Sequence, residues 1–379
     1  MPRYIESVLM LSGYIIGVGM FAIPFSFGAA GFWLGALELA ILAMVTLSIH
    51  LCYGEVVLHT NEHHRLPGYV RRYLGQRTSR IADASAFFGI CGTLLAYILL
   101  GGIFLDGLVR GSMTGSNPIF WSMIFVGVGS IITFFPLKKK TIVTSVMTAL
   151  LACLIVLLIG FLLPRFTGAN VSGFHVSSAF VPYGVLLFAL SGATVIPDVV
   201  TFFKGTRART RRVIAIGSLI PAALYFFFAL AVVGTTGKNV SPDAIAGLLP
   251  IAGRKMVVLG NMIGLLAVIT SYIPLNRSFQ AFLNLDMGLS RRLSWAGGSF
   301  LPLFLFFIGF QSFTSVISVV GGTTVAIDGG LILATYHMIL HKRERSITAA
   351  DTFRFGMLYA IMIAGIGYEL YRFIAAYIV

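Results

Sequence analysis

The sequence predicts an all-helical integral membrane protein of about eleven transmembrane helices, built as two five-span blocks of opposite orientation. Three observations predict it. First, 58% of the 379 residues are hydrophobic, 11% are charged and the mean hydropathy is +0.93, a balance that suits lipid and no soluble core. Second, the apolar stretches are continuous rather than alternating, which excludes a β-barrel. Third, Gly19-Met-Phe-Ala-Ile-Pro24 has the same Gly-x-x-x-Ile-Pro spelling as Gly192-Ala-Thr-Val-Ile-Pro197. Each copy lies inside an apolar run long enough to cross a bilayer. Glycine costs about 1 kcal/mol in a helix interior and proline about 3. Spans that carry both at their middle are expected to be broken helices, whose freed amides and carbonyls face a ligand or a water-filled cavity.

In chain order the apolar runs place spans at 8–30, 33–59, 81–109, 117–136, 141–163, 178–203, 211–235, 254–287, 292–310, 312–340 and 354–377. Spans one to five (residues 1–163) and six to ten (178–340) each begin with a broken helix, and residues 354–379 add an eleventh span. An odd number of spans per block makes the second block enter from the opposite side, so the two breaks meet at the midplane. The first run, with its glycines and proline and no clear cleavage site, is a span rather than a signal peptide.

The formal charge of +14 reflects lysines and arginines in short loops, so the positive-inside rule explains it and no nucleic-acid partner is expected. The inner side takes Arg3, the run from Arg65 to Arg80, Lys138 to Lys140, Lys204 to Arg212, Arg291, Arg292 and Lys342 to Arg345. The outer side keeps Arg110, Arg165, Lys238, Arg254, Lys255 and Arg372. This asymmetry predicts a multi-pass protein of the inner (plasma) membrane with a cytoplasmic N-terminus and an outer C-terminus. Between spans two and three, Tyr69-Val-Arg-Arg-Tyr-Leu74 suits a short helix in the headgroup plane. Between spans seven and eight, Ser241-Pro-Asp243 reads as a helix start, either a lid or a connector. Cys52, Cys91 and Cys153 lie in apolar runs without metal spacing.

At the first break the amides of Gly17, Val18 and Gly19 are expected to cap the helix resuming at Met20, an anion site. At the second, the carbonyls near Ala189, Leu190 and Ser191, before Gly192, can accept from an ammonium. Donors for an anion beside acceptors for a cation describe a receptor for an amino acid. Met20, Phe21 and Phe188 surround it, and Tyr97 offers a ring and a hydroxyl, although core packing is its other reading. No arginine or aspartate lies in these stretches, which favours a neutral, hydrophobic or aromatic side chain.

In span eight, Ala267, Thr270 and Ser271 share a helix face. With the carbonyls of Gly13 and Ile16 they give five neutral oxygens that suit sodium; hydroxyls bonded back to their own helix are the alternative. Acids inside a membrane are costly and are candidates for proton-linked groups. Asp328 lies deepest, with Asp198 and Glu55 nearer span ends. Arg277, inside span eight, is expected to pair with Asp198 or Asp286.

Ile15-Ile-Gly-Val-Gly-Met-Phe-Ala-Ile-Pro24, followed by Gly28 and Gly31-Phe-Trp, resembles the first span of the amino acid/auxin permeases. These belong to the amino acid-polyamine-organocation superfamily, and the nearest branch is that of bacterial aromatic and hydroxy amino acid permeases. Phe188-Ala-Leu-Ser-Gly-Ala-Thr-Val-Ile-Pro-Asp198 is similar to their sixth span. The resemblance implies the LeuT-type fold and secondary active transport, with substrate between spans one and six and a cation between spans one and eight. Carried over, Gly13, Ile16, Ala267, Thr270 and Ser271 match the sodium ligands of sodium-coupled relatives, whereas the aromatic branch is regarded as proton-coupled. The expected function is therefore cation-coupled symport of neutral amino acids by alternating access, with a bound sodium ion or a proton and no cofactor. A passive channel or an uncoupled exchanger is the alternative use of the same breaks. An enzyme is not expected, because no cluster of histidine, aspartate and cysteine stands near either interface.

Overall fold

The computed structural model describes residues 3–60, 62–109, 117–135, 141–342 and 348–378. Arg110, Lys138, Lys139, Lys140, Arg343 and Arg345, on which the orientation partly rests, lie outside the described residues. The described chain is all-helical. The first expected span is α1 (Arg3–Ile15) and α2 (Ile23–Ala30), joined by a 3-10 turn at Val18–Ala22 and bent by 48°. There follow α3 (Phe32–His59), α4 (Leu66–Leu74), α5 (Gln76–Val109), α6 (Pro118–Phe134) and α7 (Thr141–Leu162). The sixth span is α8 (Val181–Ala189) and α9 (Ile196–Phe203), separated by a 3-10 turn at Ala193–Val195. Then come α10 (Arg207–Thr236), α11 (Leu249–Ala252), α12 (Arg254–Leu285), α13 (Arg291–Phe307), α14 (Phe313–Val320), α15 (Ala326–Lys342) and α16 (Ala349–Ile378).

Each expected span has a helix or helix pair at its place. Among the described residues, seven runs are long and apolar enough to cross a membrane, and the bent first pair makes an eighth. The apolar helices at Ile119–Phe134 and Ala149–Arg165 are shorter.

The shared Gly-x-x-x-Ile-Pro spelling has the same local cause in both places. Pro24 and Pro197 sit in the first turn of α2 and α9, where a missing N–H costs nothing and φ is already helical. Each is preceded by a single 3-10 turn rather than by an α-helix. The halves then cross: α2 packs on α8, and α1 on α9. Around this centre stand α3, α5, α10 and α12, with α16 packed against α15 and α8. Where α8 meets α14 and the turn that follows it, Gly184 and Gly321 bring main chains together, and a Cβ at either would overlap the facing backbone, the small-residue packing expected of membrane helices. Trp33, Leu37, Ile41 and Met44 form an exposed apolar stripe along α3, facing lipid.

The short helix expected at Tyr69–Leu74 is present as α4, with Tyr69 and Val70 buried and Arg71 and Arg72 exposed. Two other expectations are corrected. No helix starts at Ser241, because the chain turns at Ala244 with φ of +62°, a conformation a right-handed helix does not accommodate. Instead, Ser241 Oγ accepts from the Gly247 N–H (2.9 Å) and Asp243 Oδ2 from the Ala246 N–H (3.0 Å), so the 3-10 turn begins at Ala246. Nor does Arg277 pair with Asp198 or Asp286. Its Nη2 donates to the Ile132 carbonyl (3.3 Å) and to that of Phe135, at the negative end of α6. Asp286 lies about 13 Å further along the helix rise and pairs with Arg65 at 3.8 Å, while Asp198 pairs with His63 at 3.4 Å.

Candidate functional site

The first break is made by Gly17, whose φ of −135° and ψ of −160° are extended. The last α-helical bond before it runs from the Ile16 N–H to the Ser12 carbonyl (2.8 Å). The chain resumes as a 3-10 turn at Val18, not as an α-helix at Met20, and the Met20 N–H bonds to the Gly17 carbonyl at 3.4 Å. The second break opens after Leu190, whose N–H still bonds to the Leu186 carbonyl, and the Ser191 N–H reaches back to Phe188 (3.1 Å).

The two breaks touch. A Cβ on Gly19 would stand 2.8 Å from Ala189 Cα and 3.0 Å from the Phe188 ring, and one on Gly192 would meet Ile15 at 2.7 Å. Only glycine permits this approach. The expected residues Gly17, Val18, Gly19, Phe188, Ala189, Leu190, Ser191 and Gly192 are thus brought together.

Two side chains outside the expected set tie the breaks. Tyr225 of α10 is fully buried, and its hydroxyl lies 2.6 Å from the Ile15 carbonyl and 3.2 Å from that of Ala189. One phenol therefore serves the ends of both first halves, and it also meets the Gly17 amide. His50 of α3 accepts the Gly192 N–H at Nε2 (3.1 Å), so its Nδ1 carries the proton and donates to Ser218 Oγ (2.9 Å). Signals for both existed. A lone tyrosine hydroxyl in an apolar run needs a partner, and a histidine at membrane depth is a functional candidate by default.

Tyr97 meets Ser271 by a hydrogen bond, and both face Gly17, whose Cβ would lie 3.9 Å from Ser271 Oγ and 4.0 Å from the Tyr97 hydroxyl. A residue expected to contact substrate and one expected to hold a cation thus share one spot. Thr270 turns its hydroxyl to the Leu266 and Ala267 carbonyls (2.9 and 3.0 Å). That leaves the oxygen lone pairs as its contribution to any ion. Ala267 and Ile16 are buried and Gly13 half-buried.

The three candidate acids differ. Glu55 is buried, and its Oε1 accepts from Arg207 Nε (2.8 Å) and Arg211 Nη1 (3.1 Å). Asp198 is exposed and paired to His63. Asp328 lines a cavity of about 30 Å³ with His50, Ser191 and Thr194 beside the second break, and its Oδ1 has no hydrogen-bond partner among the described residues. That volume matches about one water, far below an amino acid. Glu38, an acid inside α3 that sequence reasoning passed over, likewise leaves Oε2 unpartnered among the described residues.

The two sides of the breaks differ in exposure. Tyr14 is 43% exposed and Thr194 is exposed, and the two are hydrogen-bonded to each other. On the other side, Phe21 is wholly buried, edge-on to Phe104 (5.0 Å) and Phe228 (6.0 Å). Phe21 therefore belongs to an aromatic seal next to the break, and Met20 before it is wholly buried.

Interrupted helices meeting inside a membrane bundle define the class of this protein, that of the membrane transporters. The chain belongs to the tryptophan/tyrosine permease family, whose sequence pattern matches residues 1–374, a family of permeases and not of enzymes. It is similar to glutamine transporter 2 of Aliivibrio fischeri, 23% identical over 237 residues, covering 62% of this chain and 61% of the relative. It is also similar to tyrosine-specific transport system 1 of Haemophilus influenzae, 24% identical over 295 residues, covering 72% and 71%. The chain thus spans less than two thirds of the first relative's length. In fold it is similar to Mhp1, a nucleobase-cation-symport-1 family transporter, in a closed conformation (TM-score 0.67, 14% identity, 94% of this chain and 80% of Mhp1). It is likewise similar to MhsT in complex with L-phenylalanine (TM-score 0.62, 15% identity, 97% of each chain). The fold is therefore the LeuT-type fold that the resemblance implied.

Proposed function

We propose that this protein is a cation-coupled symporter of neutral amino acids, preferring hydrophobic or aromatic side chains, and works by alternating access. The observation that carries the reading is the contact of the two breaks at Gly19 and Ala189, where two interrupted helices come together inside the bundle. Residues 1–163 and 178–340 are the two inverted repeats, and 354–379 an added span. The names of the relatives favour neutral substrates, since tyrosine and glutamine are both uncharged in the side chain.

Two coupling routes belong to the proposal. Sodium would be held by Gly13, Ile16, Ala267, Thr270 and Ser271. A proton would be held by Asp328, which lines the cavity at the second break and whose Oδ1 has no hydrogen-bond partner among the described residues. A proton on Glu55 would compete with two guanidinium groups, and one on Asp198 with His63. The described basic residues from Arg65 to Arg72 and from Arg207 to Arg211 are linked to one end of the bundle through Asp286 and Glu55. This supports a cytoplasmic N-terminus in the inner membrane, and the exposed Tyr14–Thr194 side then faces the cytoplasm.

Uptake of labelled tyrosine, phenylalanine and glutamine into proteoliposomes tests the reading under imposed sodium or proton gradients. One gradient is expected to drive accumulation, and Gly19→Leu to abolish it by filling the contact with Ala189. Saturable counterflow without gradient dependence would make the protein an uncoupled exchanger, and non-saturating flux a channel. No flux of any neutral amino acid refutes the proposal.

A further inference from the structure

Away from the breaks, at the end of the bundle where α3 finishes and α10 and α16 begin, lies a second cavity of about 180 Å³. Taking about 30 Å³ per water, it has room for about six waters, enough for one small polyatomic anion. Its polar wall is Arg207, Arg211, Arg354, Glu55 and Asp351, and its apolar wall includes Leu51 and Phe355. Three arginines against two carboxylates leave one formal positive charge. Glu55 holds Nε of Arg207 and Nη1 of Arg211, both through one oxygen. Arg354 gives Nη2 to Ser48 Oγ at a long 3.3 Å. Each guanidinium has five N–H donors in a planar fork suited to tetrahedral oxyanions. Glu55 thus fixes two arginines in place without using up their donors.

We propose that this cavity is a binding site for a phosphate group, carried either by an anionic lipid headgroup or by a soluble phosphate. The apolar wall gives the carbon-bearing part of such a molecule a surface, and basic pockets between helices are where anionic headgroups bind. The site joins α3, which carries His50 at the second break, to α10, which carries Tyr225. A ligand at this end would touch the two helices whose side chains hold the breaks.

The test is thermal unfolding of the purified full-length protein in neutral detergent, titrated with phosphatidylglycerol, phosphatidylcholine or inorganic phosphate, since a ligand bound to the folded state raises the midpoint. Phosphatidylglycerol is expected to stabilise and phosphatidylcholine not. Arg354→Gln, which leaves the Glu55 clamp intact, is expected to weaken the phosphatidylglycerol effect at least about tenfold, the loss of one charge-assisted contact. The variant is decisive because removing one of 27 basic residues barely alters non-specific attraction. Arg211→Gln serves if Arg354→Gln fails to fold. Stabilisation by inorganic phosphate that competes with the lipid supports a soluble anion, and stabilisation by the lipid alone supports a headgroup. Equal effects of the two lipids, no effect of any probe, or full phosphatidylglycerol affinity in the folded variant overturns the proposal.

Discussion

Tyr225 carries more of the site than any residue of the repeated motif. A helix that stops inside a membrane leaves carbonyls without partners, and in a dry interior each is costly. One phenol lies within reach of the Ile15 and Ala189 carbonyls at 2.6 and 3.2 Å, holding the ends of α1 and α8 side by side. Tyr225→Phe keeps the ring and removes the link. It is expected to cost about 1–2 kcal/mol of stability and to weaken amino acid binding, measured by thermal unfolding with and without substrate. Unchanged values on both counts would make the hydroxyl incidental. Neither residue that ties the breaks was legible from the repeated spelling. Tyr225 and His50 sit in runs of ordinary apolar character, and only folding places them beside the breaks.

At the scale of elements, α4 shows how a short amphipathic piece is fastened. Burial of Tyr69 and Val70 seats it against α5 and α15, and the loop before it adds a surface pair, Arg72 Nη1 to Glu62 Oε2 at 2.7 Å. The hydrogen bond from His64, and after it Arg72, holds the Glu62 carboxyl below its ordinary range. A carboxylate depressed in the folded state contributes stability that is present above its unfolded value and is lost as pH falls through the folded one. The protection of the α4 amides, each rate taken relative to the intrinsic rate at the same pH, is therefore expected to fall on acidification into that range. Glu62→Gln should start from the lower protection and change less. Identical pH profiles for the two proteins would remove Glu62 from the fastening. The helix itself was readable from Tyr69-Val-Arg-Arg-Tyr-Leu74, because its alternation of apolar and basic faces is local. The partner of Arg277 was not, because a cation in a span finds whichever carbonyl end the packing offers, here that of α6.

For the whole molecule the governing feature is asymmetry about the breaks. Phe21, Phe104 and Phe228 are packed without exposure on one side, while Tyr14 and Thr194 are open on the other. A transporter that alternates access must at any moment seal one route, and edge-to-face aromatic contacts are a compact way to do so. With Cys52, Cys91 and Cys153 replaced by alanine, Thr194→Cys is expected to react with a membrane-impermeant thiol reagent applied from the end bearing Arg207 and Arg211. Ala22→Cys, wholly buried, should react at least about tenfold more slowly from either side, and substrate should protect Thr194→Cys. Equal labelling of the two positions would contradict a one-sided opening.

The sequence by itself determined that the chain is a helical membrane protein, where its helices lie, which two are interrupted and that both interruptions precede an Ile-Pro helix start. All of these follow from hydropathy and from the local energetics of glycine and proline, which act within one helical turn. Only the tertiary structure decided that Gly19 rests on Ala189, that Tyr225 and His50 hold the breaks, and that Asp328 opens onto the cavity while Glu55 is clamped by two arginines. Those are distances between residues far apart in the chain, and side-chain packing, rather than local preference, sets them.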